Sequence, residues 1–411
     1  MDSLITFGID KMELDWSKGY LLRDYSTLFN ESDKSQLLCY YYDDSCEEIK
    51  TTQIIGYSKK LSRIKRRLEL LGYTLSSIKV LYEEMILNSF IPSNAVKLSF
   101  EDFYSIFYLL DVSKIDTTKE RFCYPDDFEY GEFVRLLFTD NEALLDPVRR
   151  KLDLRKNELP SELMSFIETL ENLDPLIVLR ILVENPKNSD LDIFWICPES
   201  MFIDNESFDV SESNRIMIVT EGTSDLSIIK RTIDSLYEDV SDLFLYIDME
   251  DNYPFTGTGN LKNFCIGLNR IRIQNNVIVI FDNDAAGCGS YNAIKDNYNV
   301  SNLLIIKLPD YDEFNSIDTI GPQGVTKENI NGRAVAIECF LDFNSVSMPP
   351  RIRWKSYDDK QKIYQGAIEN KEQYTKAFYS SNLTDGTYDT SKLSFLMEYI
   401  FSSWINRKTI G

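Results

Sequence analysis

Between Arg215 and Leu308 the sequence alternates between two hydrophobic periods, and this alternation restricts the fold more than any other feature of the chain. Short, largely β-branched apolar runs occupy Arg215–Thr220, Leu243–Ile247, Asn276–Phe281 and Leu303–Leu308. Between them the period turns helical: Ser224–Tyr237, with Leu226, Ile229, Ile233 and Leu236 on one face, then Leu261–Ile271 and Gly289–Tyr298. Continuously apolar strands separated by amphipathic helices predict a parallel sheet covered on both faces, an α/β fold of Rossmann-like type. In such sheets ligands bind beyond the carboxyl ends of the strands. Three of those ends are acidic here: Glu221 after the first strand, Asp248 after the second, and Asp282 with Asp284 after the third. Carboxylates gathered at one edge repel one another and lose solvation, a condition that a divalent cation relieves.

Composition narrows the chemistry. The 411 residues include no histidine, so Ser-His-Asp and Cys-His nucleophile systems, His-ligated zinc hydrolases and Arg-x-x-x-x-His ribonuclease centres are excluded. Catalysis must use carboxylates, Lys or Arg, hydroxyls, Cys or a metal held by oxygen, and hard oxygen ligands favour Mg²⁺, Mn²⁺ or Ca²⁺. The seven cysteines are scattered and form no C-x-x-C pair, which points to a reducing, cytoplasmic setting. The opening Met-Asp-Ser-Leu-Ile-Thr-Phe has no signal-peptide pattern, and no apolar run approaches the roughly 18 residues of a membrane span. A net charge of −22 argues against general coating of DNA, since nonspecific affinity comes from cations that neutralise phosphates.

Elsewhere the pattern is mixed. Residues up to about 55 read as strands, with a hairpin turning near Asp10-Lys11 and a further β run at Leu37–Tyr42. From Ser58 a helical face, Leu61, Ile64, Leu68 and Leu71, ends at Gly72, and a second helix runs from Leu75 to Met85. Helices are also expected at Glu101–Leu110, Phe133–Phe138, Pro160–Leu173 and Pro175–Glu184, followed by a linker at Asp204–Asn214. Near the end, helices are expected over Ser356–Phe378 and Leu393–Trp404. The resulting division is 1–205, a mixed β-then-helical N-terminal domain; 206–343, the α/β domain; and 344–411, a helical C-terminal extension. There is no internal repeat and no Walker A sequence.

The acidic strand ends carry a resemblance. Val219-Thr220-Glu221-Gly222-Thr223-Ser224-Asp225, with Phe281-Asp282-Asn283-Asp284-Ala285-Ala286-Gly287 following it, resembles a Toprim domain over about residues 215–340, with its Glu-Gly signature on the first strand and Asp-x-Asp on the third. Ile9…Trp16…Arg23-Asp24 and Leu71-Gly72-Tyr73-Thr74-Leu75 resemble the HEPN/Toprim-associated N-terminal domain of bacterial defence proteins, and Thr319-Ile320-Gly321-Pro322-Gln323-Gly324 is similar to the same group. The resemblance implies that Asp282 and Asp284 hold Mg²⁺ or Mn²⁺ and that Glu221 shares a metal or acts as general base. Hydrolysis with two metals calls for more carboxylates, and Asp248, Asp225 and Glu338 are the candidates, Glu338 at the acidic position that OLD-like nucleases place beside their second metal. Lys355 or Lys371 would stabilise developing negative charge. The implied activity is a metal-dependent, OLD-like Toprim nuclease cutting DNA or RNA in antiphage defence. The alternatives are a metal-binding sensor or interaction module without turnover, and a primase- or topoisomerase-like protein, which lacks here the usual zinc ribbon or tyrosine-nucleophile domain.

Each of these residues has a plainer reading. Glu221, Asp282 and Asp284 are also suited to turns and helix N-caps, Asp225 to the first turn of a helix, Asp248 to a solvated loop and Glu338 to a helix surface. Gly257-Thr258-Gly259-Asn260 suits either a phosphate-facing turn or a flexible loop. The basic run Lys59–Arg67 reads first as a solvated helix face and second as a phosphate-tracking patch. Arg149-Arg150-Lys151 with Arg155-Lys156, and Arg351-Ile352-Arg353-Trp354-Lys355, are further basic islands, the last with an aromatic that could stack a base. The expected partners are a nucleic-acid substrate and a separate ATPase or phage-sensing protein, with no membrane; a homo-oligomer is left open.

Overall fold

The computed structural model describes residues 6–10, 12–15, 23–42, 49–88, 98–114, 170, 172–196, 215–247, 257–298, 300–359 and 361–407. The chain divides into two compact units, Met1–Asp209 and Val210–Gly411. The expected helices at Phe133–Phe138 and over most of Pro160–Leu173, the Asp204–Asn214 linker and the basic island Arg149–Lys156 lie outside the described residues.

In the first unit the alternating residues form β1 (Phe7–Ile9), β2 (Met12–Glu13), β3 (Lys34–Tyr42), β4 (Ile49–Lys60) and β5 (Asp192–Trp195). The strands join in the order β2-β1-β5-β4-β3, and every pair is antiparallel. The β1–β2 turn is made at Asp10, whose positive φ of 51° an Asp tolerates better than most residues. Strand β5 was not foreseen, although it is central to the sheet. The helices α1 (Lys65–Leu70), α2 (Leu75–Asn88), α3 (Phe100–Leu109) and α4 (Pro175–Leu182) agree with the helical period, and Gly72, at φ 99°, closes the turn after α1. Phe7, Ile9 and Trp195 of the sheet share one buried cluster with Phe103, Phe107, Val178 and Leu182 of the helices.

The basic run is not a uniformly solvated face. Lys59 belongs to β4 and forms a buried ion pair with Asp33 at 2.5 Å. Arg67 is fully buried and donates to the carbonyls of Thr27 at 2.5 Å and Phe29 at 3.1 Å. A buried guanidinium is tolerable because such acceptors replace water.

The second unit begins with β6 (Ile216–Thr220), α5 (Thr223–Leu236), α6 (Glu238–Ser241), β7 (Phe244–Tyr246), α7 (Thr258–Ile271) and β8 (Asn276–Phe281). It continues with β9 (Asn283–Asp284), α8 (Ala285–Ile294) and β10 (Leu303–Lys307). Strands β10-β8-β6-β7 pair in parallel throughout, with Val219 opposite Val279 and Val279 opposite Ile305. One face of this sheet packs Val219, Val279, Phe281 and Ile305 against Leu261, Cys265 and Leu268 of α7. Helix α8 begins four residues before its expected start because Asp284 caps it.

The rest of the unit corrects an expectation. Residues 344–411 are not a helical extension: β14 (Arg351–Asp358) and β15 (Ile363–Ile368) precede α9 (Lys371–Ser380) and α10 (Ser391–Ile405). They build a sheet with β11 (Ile317–Gly321) and β12 (Gly324–Glu328), in the order β12-β11-β14-β15. The helix expected over Ser356–Phe378 is therefore a hairpin followed by a helix. Ile352 and Ile368 face each other with the period of strands, and Asn370, at φ 58°, stands at the N-cap of α9. Phe401 of α10 stacks on Phe244 of β7 with ring centroids 5.6 Å apart, and α10 also contacts β10, so it packs against the parallel sheet.

Candidate metal centre

Strand β6 leads directly into Glu221, and Gly222 turns the chain into α5, whose first turn carries Asp225. Strand β8 leads into Asp282 and then β9, which pairs antiparallel with β13 (Ala334–Val335). Immediately after β13 a 3₁₀ turn, Ile337–Phe340, holds Glu338. The short β9–β13 ladder thus unites two acidic segments distant in sequence, and β8 lies beside β6, so the Glu-Gly and Asp-x-Asp segments end at the same sheet edge.

Glu221, Asp284 and Glu338 are each held by specific donors. The Thr258 hydroxyl donates to Glu221 Oε2 at 2.8 Å, and the Asp282 N–H to Glu221 Oε1 at 3.4 Å. Asp284 Oδ1 accepts from the Gly287 N–H at 2.7 Å, capping α8, and its Oδ2 accepts from the Gln365 amide of β15 at 2.8 Å. Glu338 is 3% exposed, and Lys371 Nζ lies 3.3 Å from its Oε1. Gly287 has no room for a side chain, since a Cβ would run into the carbonyl of Asp282.

The electrostatics show how closely the groups gather. Burial raises the pKa of Asp282 well above the usual range, and Asp225, Glu221, Asp284 and Glu338 raise it further. Burial, Glu338 and Glu221 push Asp225 up to about 7. Glu221 is raised by burial and by Asp284, against the lowering effect of its Thr258 bond. Asp284 is raised by burial, with the Gly287 and Ala286 N–H groups and Gln365 opposing. Lys371 is raised by Glu338 first, and Asp225 and Asp282 add to this. Five carboxylates and one ammonium therefore act on one another.

The structure brings together Glu221, Asp225, Asp282, Asp284, Glu338 and Lys371; Asp248 lies outside the described residues. Among the described residues no group of three or more His, Cys, Asp or Glu stands in an arrangement ready to hold an ion. The hydrogen bonds of Thr258, Gln365 and Lys371 each engage one oxygen, of Glu221, Asp284 and Glu338 respectively. The donor set nevertheless fits a hard divalent cation: all its groups are carboxylates, and mutual repulsion raises their proton affinity as it would raise their cation affinity.

Residues 1–199 match the family model HEPN/Toprim N-terminal domain 1. No curated protein and no solved structure matches the chain. The HEPN/Toprim match ends before the acidic centre begins.

Thr258 and Gln365 were missed by sequence reasoning. Thr258 stands in Gly257-Thr258-Gly259-Asn260, which opens a helix and is not a loose loop: Gly257, at φ 89°, is the N-cap of α7, and the Thr258 hydroxyl serves Glu221. Gln365 carries no motif, and only the pairing of β14 with β15 could have placed it.

Proposed function

We propose that the second unit is a Toprim-type, divalent-metal-dependent nuclease that hydrolyses phosphodiester bonds of DNA or RNA, in antiphage defence. The observation that carries this reading is that Asp282 sits in the field of four other carboxylates at the carboxyl edge of a parallel sheet. Asp282, Asp284 and Glu221 would hold a Mg²⁺ or Mn²⁺ ion, with Asp225 and Glu338 beside them for a second. Such an ion, when bound, supplies charge neutralisation and Lewis acidity at a phosphodiester. The protein's own groups have separate tasks. Glu221, fixed through Oε2 by Thr258 and reached at Oε1 by the Asp282 N–H at 3.4 Å, would either share the ion or accept a proton from an attacking water. Lys371, kept cationic by Glu338, provides a donor for charge developing on phosphate oxygens. The C-terminal elements belong to the reaction unit in this reading, because α9 supplies Lys371 and β15 supplies Gln365.

Cleavage of plasmid, single-stranded DNA and tRNA with Mg²⁺ or Mn²⁺ tests the proposal. Activity must disappear in chelator and in Asp282→Ala and Glu221→Ala; equal activity in these variants refutes it. One observation favours a second reading, a metal-responsive module without turnover: among the described residues Glu221, Asp225, Asp284 and Glu338 each accept a hydrogen bond, and no three carboxylates are poised for an ion. Cation binding by calorimetry without cleavage of any substrate decides for that reading. Among the described residues no helix is long and apolar enough to cross a membrane. A cytoplasmic location and a separate ATPase or phage-sensing partner complete the proposal, and copurification with mass spectrometry tests the partner.

A further inference from the structure

The sheet β12-β11-β14-β15 has two unlike faces, which its register defines. Lys327 pairs with Asp318, and Asp318 with Arg351, so these three share a row. The next row runs through Val325, Ile320, Arg353 and Ala367. Lys355 then sits at a bulge between Trp354 and Ser356, and Ser356 pairs with Gln365. Four cations thus lie on one face against three carboxylates, Asp318, Glu369 and, at the hairpin end, Asp358, whose oxygens accept from the Gln361 N–H and amide, in a chain of net charge −22. Glu369 is engaged with Arg353 at 2.6 Å. Lys327, Arg351 and Lys355 are exposed and form no ion pair among the described residues. The opposite face is occupied: Arg333 lies over the Trp354 ring at 4.1 Å and pairs with Glu328 at 3.0 Å, so Trp354 is not free to stack a base.

The basic face also leads to the acidic centre. Gln365, in the row beside Lys355, donates to Asp284 at 2.8 Å. Alternate residues of a strand are about 6.6 Å apart, so Arg351, Arg353 and Lys355 form a cationic line comparable in spacing to consecutive phosphates of one strand. The register places no aromatic residue on this face, so recognition there would rest on phosphate rather than base.

We infer that Lys327, Arg351, Arg353 and Lys355 bind the sugar-phosphate backbone of a nucleic-acid strand and lead it to Asp284, an inference that rests on the nuclease reading for what happens at the end of the track. Binding is sequence-independent, and DNA and RNA share it. The test uses the full chain carrying Asp282→Asn, chosen to remove cleavage, and the same chain with Lys327→Gln, Arg351→Gln and Lys355→Gln added. Fluorescence anisotropy is recorded over a salt series with a labelled single-stranded DNA, the RNA of the same sequence and a DNA duplex. The triple substitution should weaken binding at low salt by at least about tenfold and reduce the slope of log K against log salt by about 2, at ~0.7–0.9 per phosphate contact. The melting temperature should not move, because all three side chains are exposed. Unchanged affinity and slope for all three probes, or failure of the parent chain to bind any of them, overturns the inference. Cleavage by the wild-type chain that the triple substitution leaves at full kcat/KM overturns the track and spares the nuclease. Patch-dependent binding without cleavage by the wild-type chain does the reverse.

Discussion

Asp225 offers the most direct physical test of the acidic centre. Burial, Glu338 and Glu221 raise its pKa from 3.8 to about 7, so the folded protein holds this proton more tightly than the unfolded chain. The linkage sign follows. Below about pH 4 both states are protonated and the group has no effect; as pH rises to about 7 the unfolded state ionises first, and stability falls. A shift of about three units corresponds to about 4 kcal/mol at pH 8, taken as a ceiling because the cost is shared among the neighbouring carboxylates. Asp225→Asn keeps the shape and removes the charge, and about 2 kcal/mol of stabilisation in chelator is expected. For a unit of this size that is a rise of roughly 4–8 °C in melting temperature by calorimetry. Most of the difference should be gone at pH 4, close to the unfolded pKa. Added Mg²⁺ should stabilise the wild type more than the variant, because the cation relieves the repulsion that the substitution has already removed. If Asp225→Asn lowers or leaves unchanged the melting temperature in chelator at pH 8, or if its advantage is undiminished at pH 4, the convergence of carboxylates is refuted.

Four other perturbations have defined outcomes. Gly287→Ala should destabilise the second unit by about 1–3 kcal/mol in urea unfolding and abolish cation binding, because its methyl meets the Asp282 carbonyl. Gln365→Ala should weaken Mg²⁺ or Mn²⁺ affinity about 10- to 100-fold by calorimetry with little change in melting temperature, as expected for a side chain that orients a ligand. Lys371→Met leaves Glu338 buried without its ammonium and should cost about 1 kcal/mol in chelator, since the lysine is itself 57% exposed; Glu338→Gln in the same chain should recover most of that loss. Cation binding near pH 6–7 should release protons, because Asp225 and Asp282 must ionise, and titration calorimetry in buffers of different ionisation enthalpy reads the number released.

The parallel sheet was legible because its strands are apolar on both faces and its helices on one, two periods that cannot be mistaken for each other over several turns. Strand β5 was not legible: Asp192–Trp195 is four residues long, and its place between β1 and β4 depends on partners far away in the chain. The β14–β15 hairpin was misread for a different reason. Its alternation is broken by the bulge at Trp354/Ser356 and by polar residues around the turn, so a helical period fits as well as a strand period. The burial of Arg67 could not be read either, since it requires the carbonyls of Thr27 and Phe29, and a carbonyl carries no mark in a sequence. The carboxylates of the centre were found because a motif and a strand end coincide; Thr258 and Gln365 escaped because a hydroxyl or an amide that orients a ligand needs only proximity.

The histidine-free composition connects these points. Without imidazole, no unperturbed side chain in this protein titrates between pH 5 and 8, so any group that does must be displaced there by its surroundings. Asp225 is such a group, and what displaces it is the crowding that an oxygen-ligated cation would relieve. The strain in the acidic centre and its suitability for a metal are therefore one property. A substitution that makes the cation-free fold more comfortable, such as Asp225→Asn, should weaken cation binding by a related amount. Melting in chelator and calorimetric cation affinity should then move in opposite directions across Asp225→Asn, Asp282→Asn and Glu338→Gln. A series in which stability and affinity rise together would mean that the carboxylates cluster for structural reasons and that the ion, if bound at all, is held elsewhere.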